Sequence, residues 1–214
     1  MNLVVLGATG ATGRLVVDQA LAAGHTVTAL VRSPGKLTTA HSNLRVLDGQ
    51  ATDTSAVSKA LEGADAVIST LGGKPPVISN STRAIVAAAR MTGVSRVVVL
   101  STFAAERDRL DAATRLLTGI GMGSMLKDKS AGEETLRASD LNWTIAYASI
   151  LSDGPATGSV AVVGDGAKRS MSEKISRADV AVWLVQAATS AQESRRGVGI
   201  TASRTRETPL PSRK

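Results

Sequence analysis

Residues Met1–Val17 read MNLVVLGATGATGRLVV: an apolar run, Leu3–Leu6, breaks into Gly7-Ala8-Thr9-Gly10-Ala11-Thr12-Gly13 and resumes with helix-like periodicity. Glycine gives up more conformational freedom on ordering than any other residue, so three in seven positions after a first strand need a physical reason. The spacing G-x-x-G-x-x-G between a strand and a helix supplies it. Gly7 makes the tight turn, Gly10 lets a phosphate approach the backbone, and Gly13 lets helix and strand pack closely. The N–H groups at the helix start complete an anion site.

Outward from this stretch the chain alternates. Short Val- and Ile-rich runs at Leu3–Leu6, Thr26–Val31, Leu44–Leu47, Ala66–Thr70, Arg96–Ser101 and Trp143–Tyr147 read as strands buried on both faces. Between them, Gly13–Ala23, Ser55–Leu61 and Ser79–Met91 read as helices that stop at Gly24, Gly63 and Gly93. Ser130–Ala138 carries Glu133 and Glu134 on an alanine-rich helix. Helix Arg177–Thr189 and strand Val198–Ala202 close the pattern. This order predicts an α/β fold, a doubly wound, mostly parallel sheet of the Rossmann type. Residues 151–176, with glycines at 154, 158, 164 and 166, are expected to form a small C-terminal substrate lobe. Residues 1–203 then make one domain and residues 204–214 a flexible tail.

Composition removes several function classes. Aromatics are 2% of the chain, namely Phe103, Trp143, Tyr147 and Trp183, which leaves little for base stacking. No cysteine is present, so thiolate catalysis and Cys-type zinc sites are excluded. Only His25 and His41 remain for a histidine metal site, and none is expected. The net charge of +7 is dispersed or gathered towards the C-terminus at Arg195, Arg196, Arg204, Arg206, Arg213 and Lys214. That distribution is read as solvated surface and tail rather than a nucleic-acid patch. No apolar run reaches the roughly 18 residues of a membrane span, and no signal peptide is evident. The expectation is a cytoplasmic protein, monomer or dimer.

The second strand narrows the ligand. A dinucleotide fold that prefers NAD places a carboxylate about 20 residues past the glycines, on the ribose 2′-hydroxyl. Here the strand ends Val31-Arg32-Ser33-Pro34-Gly35-Lys36, without Asp or Glu. A guanidinium there suits the 2′-phosphate of NADP, which a carboxylate would repel.

GATGATGR, ALVRSPGKL, DAVISTLGG, VVVLST and K-x-x-x-E-x-x-L-x-x-S-x-L-x-W-T-I together resemble the atypical short-chain dehydrogenase/reductases, in the NmrA-like and biliverdin-IXβ/flavin-reductase-like branch. The resemblance runs from Met1 to about Ala202. It implies NADP(H) as cofactor, with Gly7, Thr9, Gly10, Ala11, Thr12 and Gly13 around the pyrophosphate and Arg32 and Ser33 on the 2′-phosphate. Leu71, Gly72 and Gly73 would flank the adenosine and ribose. Ser101 and Thr102 would lie near the nicotinamide, and Lys129 would face its ribose.

The chain also departs from that family. The usual Tyr-x-x-x-Lys pair is broken, because Met125 stands four residues before Lys129 and Tyr147 has Leu151 four residues after it. Gly49-Gln50 replaces the common Gly-Asp, and Ala146-Tyr147-Ala148-Ser149 replaces the turn that follows W-T-I. Hydride transfer to a conjugated acceptor needs orientation and exclusion of water more than a tyrosyl acid. The expected function is therefore NADPH-dependent reduction of a flavin, quinone or similar planar acceptor, with Thr102, Lys129 and Tyr147 as candidate catalytic or substrate contacts. The alternatives are a non-catalytic NADP(H) sensor acting through a protein partner and, ranked lowest, an isomerase or epimerase of nucleotide-linked sugars.

Overall fold

The computed structural model describes residues 1–164, 172–190 and 194–203. The residues expected to form the tail, 204–214, lie outside the described residues. Among those described, ten strands form: β1 (Asn2–Leu6), β2 (Thr26–Val31), β3 (Leu44–Asp48), β4 (Ala66–Ser69), β5 (Arg96–Thr102), β6 (Asn142–Ala148), β7 (Ile150–Ser152), β8 (Val160–Val163), β9 (Lys174–Ser176) and β10 (Arg196–Ala202). Five α-helices accompany them: α1 (Ala11–Ala22), α2 (Thr54–Leu61), α3 (Val77–Thr92), α4 (Ala112–Arg137) and α5 (Arg177–Thr189).

The main sheet runs in the order β3-β2-β1-β4-β5-β6-β10-β8. Every pairing is parallel except β10 with β8. The chain reverses direction across the sheet between β1 and β4, and ligands of such folds bind at the carboxyl ends of the strands at that switch point.

Alternation along the central strands builds two cores. Leu3, Val5, Ile68, Val98 and Ile200 pack under α1 and α5. Val4, Leu6, Val67, Val97 and Ile145 pack under α2, α3 and α4. Both faces are covered, which is why the strands read as continuous apolar runs rather than alternating ones.

Two elements differ from the sequence expectation. Helix α4 begins at Ala112, well before Ser130, because the Asp111 side chain accepts a hydrogen bond from the Thr114 N–H and caps it. The intervening glycines at 119, 121 and 123 disguise it as a loop. Residues 165–171 of the expected lobe at 151–176 lie outside the described residues. Its segment Val160–Val163 joins the main sheet as an antiparallel edge, leaving the parallel pair β7–β9 as a separate small sheet. Asp179 ties that region to α5, accepting from the Thr157 and Gly158 N–H groups and from the Thr157 and Ser176 hydroxyls.

Candidate functional site

The turn from β1 into α1 is set by three close approaches. Gly7 has φ +86°, in the left-handed region open to glycine. A Cβ on Gly13 would stand 2.0 Å from the Gly7 carbonyl oxygen and 2.8 Å from Thr70 Oγ1. A Cβ on Gly10 would meet that carbonyl oxygen at 3.2 Å. Gly10 caps α1 without a side-chain hydrogen bond, so the first-turn N–H groups are left for another partner. Thr70, just past β4, locks the turn across the switch point by donating to the Leu6 carbonyl at 3.2 Å. Arg14 fastens it to the next loop, donating to the Thr9 carbonyl at 3.2 Å and the Lys36 carbonyl at 2.8 Å.

The result is a cleft of ≈ 190 Å³ at the carboxyl ends of β1, β2 and β4. Gly7, Thr9, Gly10, Arg32, Leu71 and Gly72 line it, so the structure brings together six of the residues expected from sequence. Gln50, Thr52, Thr70, Val77 and Ser81 also line it. No carboxylate does, and Arg32 is the one charged side chain on its wall among the described residues. Ala11, Ser33 and Gly73 are exposed neighbours of this wall, whereas Thr12 and Gly13 are buried behind it.

A second group lies where β5 meets α4. Ser101 and Lys129 line a small crevice of ≈ 10 Å³ together with Glu133. Ser101 and Tyr147 are register partners on β5 and β6, so both side chains leave the same sheet face towards α4. Glu133, one helical turn after Lys129, meets both: Oε1 accepts from Ser101 Oγ at 2.6 Å and Oε2 from Tyr147 Oη at 2.5 Å. Arg137 hydrogen-bonds Tyr147 Oη as well and lies 3.5 Å from Glu133 Oε2.

Tyr147 therefore does not join Ser101 and Lys129 at their cavity. Its ring lies over Gly197, where a Cβ would stand 2.9 Å from Cε2, and it borders a cleft at the outer sheet edge with Glu106, Arg109 and Arg137. Burial, then the neighbouring Glu133 carboxylate, pushes the Tyr147 hydroxyl well above its usual pKa. Thr102 accepts from the Ala104 N–H at 3.4 Å and caps the short turn Phe103–Ala105. Met125 occupies α4 one turn before Lys129.

Sequence reading missed Glu133 as a site residue, although its position four residues after Lys129 puts the two on one helix face. Thr70 was read only as the end of a strand.

Known proteins share this fold. A family model described as NAD(P)H-binding matches residues 7–191. The chain belongs to that NAD(P)H-binding family. A reductase of (4-alkanoyl-5-oxo-2,5-dihydrofuran-3-yl)methyl phosphate from Streptomyces griseus is 34% identical over 143 residues, 66% of this chain and 45% of that protein. The chain thus spans about half the length of that relative. Among solved structures, the anaerobillin reductase ChuY from Escherichia coli O157:H7 has a TM-score of 0.81 at 23% identity, covering 100% of this chain and 99% of ChuY. A short-chain dehydrogenase/reductase from Veillonella parvula in complex with NADP has a TM-score of 0.79 at 19% identity, covering 99% of each chain. These likenesses confirm the Rossmann-type fold expected from the glycine loop and the strand order.

Proposed function

We propose that the chain is an NADPH-dependent reductase that passes a hydride to a planar, conjugated acceptor. The observation that carries this reading is the cleft wall. Its glycine turn admits a pyrophosphate where side chains would collide, and its one charge is Arg32, with no carboxylate to select an unphosphorylated ribose. Gly7, Thr9 and Gly10 hold the pyrophosphate, Arg32 and Ser33 the 2′-phosphate, and Leu71, Gly72 and Gly73 the adenosine and ribose. Ser101 and Lys129 stand at the nicotinamide end. When bound, the reduced nicotinamide supplies the hydride; the protein orients the acceptor and excludes water. A conjugated acceptor suits a site without the tyrosine-lysine pair. The Streptomyces relative and ChuY, both named as reductases of small molecules, support that choice.

The test is a fluorescence titration of wild type and Arg32→Glu with NADPH and NADH, followed by NADPH oxidation with FMN, a quinone and biliverdin. Loss of a charge-assisted contact worth about 1.5–3 kcal/mol predicts roughly 10–100-fold weaker NADPH binding in the variant, with NADH binding little changed. Equal affinity of the wild type for NADPH and NADH refutes the selector, and failure of every acceptor to oxidise NADPH refutes the reductase.

A further inference from the structure

The cavity between β5 and α4 is bordered by three hydroxyl or carboxyl side chains and one ammonium, and their hydrogen bonds are already allotted. Ser101 gives its proton to Glu133 at 2.6 Å, and Thr82 gives its own to the Ile78 carbonyl at 3.0 Å. Glu133 accepts from both Ser101 and Tyr147. Among the described residues, Lys129 has neither a hydrogen bond nor an ion pair, although it borders the same cavity. Lys129 is half-buried, and its three N–H donors are left for a group that enters beside Ser101.

We propose that Glu133 sets the hydrogen-bond roles at this end of the site: it fixes Ser101 as an acceptor and leaves the Lys129 ammonium as the proton donor to the reduced acceptor. The proposal rests on the reductase reading. As the acceptor takes up the hydride of NADPH at carbon, the electron pair of its π-bond moves onto its oxygen or nitrogen. One Lys129 Nζ–H bond breaks and the proton bonds to that heteroatom. The neutral amine then regains a proton from water. The Lys129 ammonium thus does the work of the tyrosyl acid that Met125 displaces, and Glu133 is a positioning residue that acts through Ser101 and through its charge.

Electrostatics agree with the geometry. Burial lowers the Lys129 pKa, and Glu133 and then Asp128 offset that fall. Both carboxylates lie on α4 itself. The residues of α3 and β5 at the cavity, Ile78, Thr82, Val99, Leu100 and Ser101, bring no charge. Arg137 and Glu106 act at one remove, on Tyr147. Lys129 is therefore a stronger acid than a solvated lysine, and removing the Glu133 charge makes it stronger still.

Two measurements test this. The first is the titration of Lys129 by NMR of ε-¹³C-lysine in the protein without nucleotide, for wild type and Glu133→Gln. The expected result is a wild-type midpoint below that of free lysine and a further fall of about one pH unit in the variant. A wild-type midpoint at or above the free value, or a midpoint that Glu133→Gln leaves in place, overturns the proposal. The second is the pH profile of kcat with the acceptor turned over best. It should fall on the basic side as Lys129 deprotonates, and Glu133→Gln should move that limb to lower pH. Lys129→Met should lose about 10²–10⁴-fold in kcat and the basic limb with it. Its fold is checked by circular dichroism, and NADPH binding is titrated separately. A Lys129→Met protein that is folded, binds NADPH and keeps wild-type kcat overturns the role of Lys129 while leaving the reductase reading intact. No turnover by the wild type removes both.

Discussion

Replacing Asp128 with asparagine should destabilise the protein by roughly 3 kcal/mol, and the reasoning starts at the N-terminus of α3. That helix has Pro76 as its cap and no side-chain cap of its own. Asp128, a buried residue of α4, caps it from outside: its carboxylate accepts from Ile78 N at 2.9 Å, Ser79 N at 3.0 Å and Ser79 Oγ at 2.5 Å. The two helices can come this close because position 132 is glycine; a Cβ there would stand 3.0 Å from Thr82 Oγ1.

An asparagine keeps the size but turns one acceptor into a donor. One charge-assisted bond worth about 1.5–3 kcal/mol is lost, and a buried N–H left facing a donor adds about 1–3 kcal/mol before relaxation. At ~2–4 °C per kcal/mol for a chain of this length, 3 kcal/mol lowers Tm by roughly 6–12 °C. The pH dependence carries a second check. Burial raises the Asp128 pKa, but the hydrogen bonds from Ser79 and Ile78 and the Lys129 charge outweigh it, so the folded value lies below the unfolded one. Its stabilisation is complete above the ordinary carboxylate range, near pH 4. It is lost as pH falls through the depressed folded value. Thermal melts of wild type and Asp128→Asn between pH 7 and the lowest pH that keeps both folded should therefore converge on acidification. A difference in Tm under 2 °C at pH 7, or one that stays constant into acid, refutes the account.

Other substitutions probe separate links. Gly13→Ala puts a Cβ 2.0 Å from the Gly7 carbonyl oxygen and should cost about 1–3 kcal/mol while deforming the phosphate turn; unchanged melting and NADPH titration curves would contradict the close-packing argument. Asp179→Ala leaves the Thr157 and Gly158 N–H groups and the Ser176 hydroxyl without their acceptor. Limited proteolysis should then cut faster near residues 153–159, and an unaltered digestion pattern counts against Asp179 as the anchor of that segment.

The glycine loop and the strand order were legible because each rests on a local rule. A turn that must pass under a helix needs glycine whatever surrounds it, and strands buried on both faces show themselves as apolar runs. The first half of α4 was hidden by the same reasoning. Glycines at 119, 121 and 123 each cost about 1 kcal/mol in a helix interior, so local propensity opposes what the Asp111 cap and continuity with the packed second half of α4 impose.

Tyr147 shows a different limit. Its place at the end of a strand suggested a contact with substrate, and nothing local says which way a strand-end side chain leans. The β5–β6 register sets it opposite Ser101, and the glycine at 197 gives its ring a bed that leads away from the Ser101 and Lys129 cavity. Once both hydroxyls leave the same face of the sheet, one carboxylate on the covering helix reaches both. Glu133 is that carboxylate because it lies one turn beyond Lys129. On the proposed reading, Lys129 is then the acid of a site in which Met125 stands where a tyrosine would be expected. The same helical repeat that would have aligned a tyrosine with Lys129 aligns Lys129 with Glu133, whose carboxylate tunes the proton that Lys129 is proposed to give.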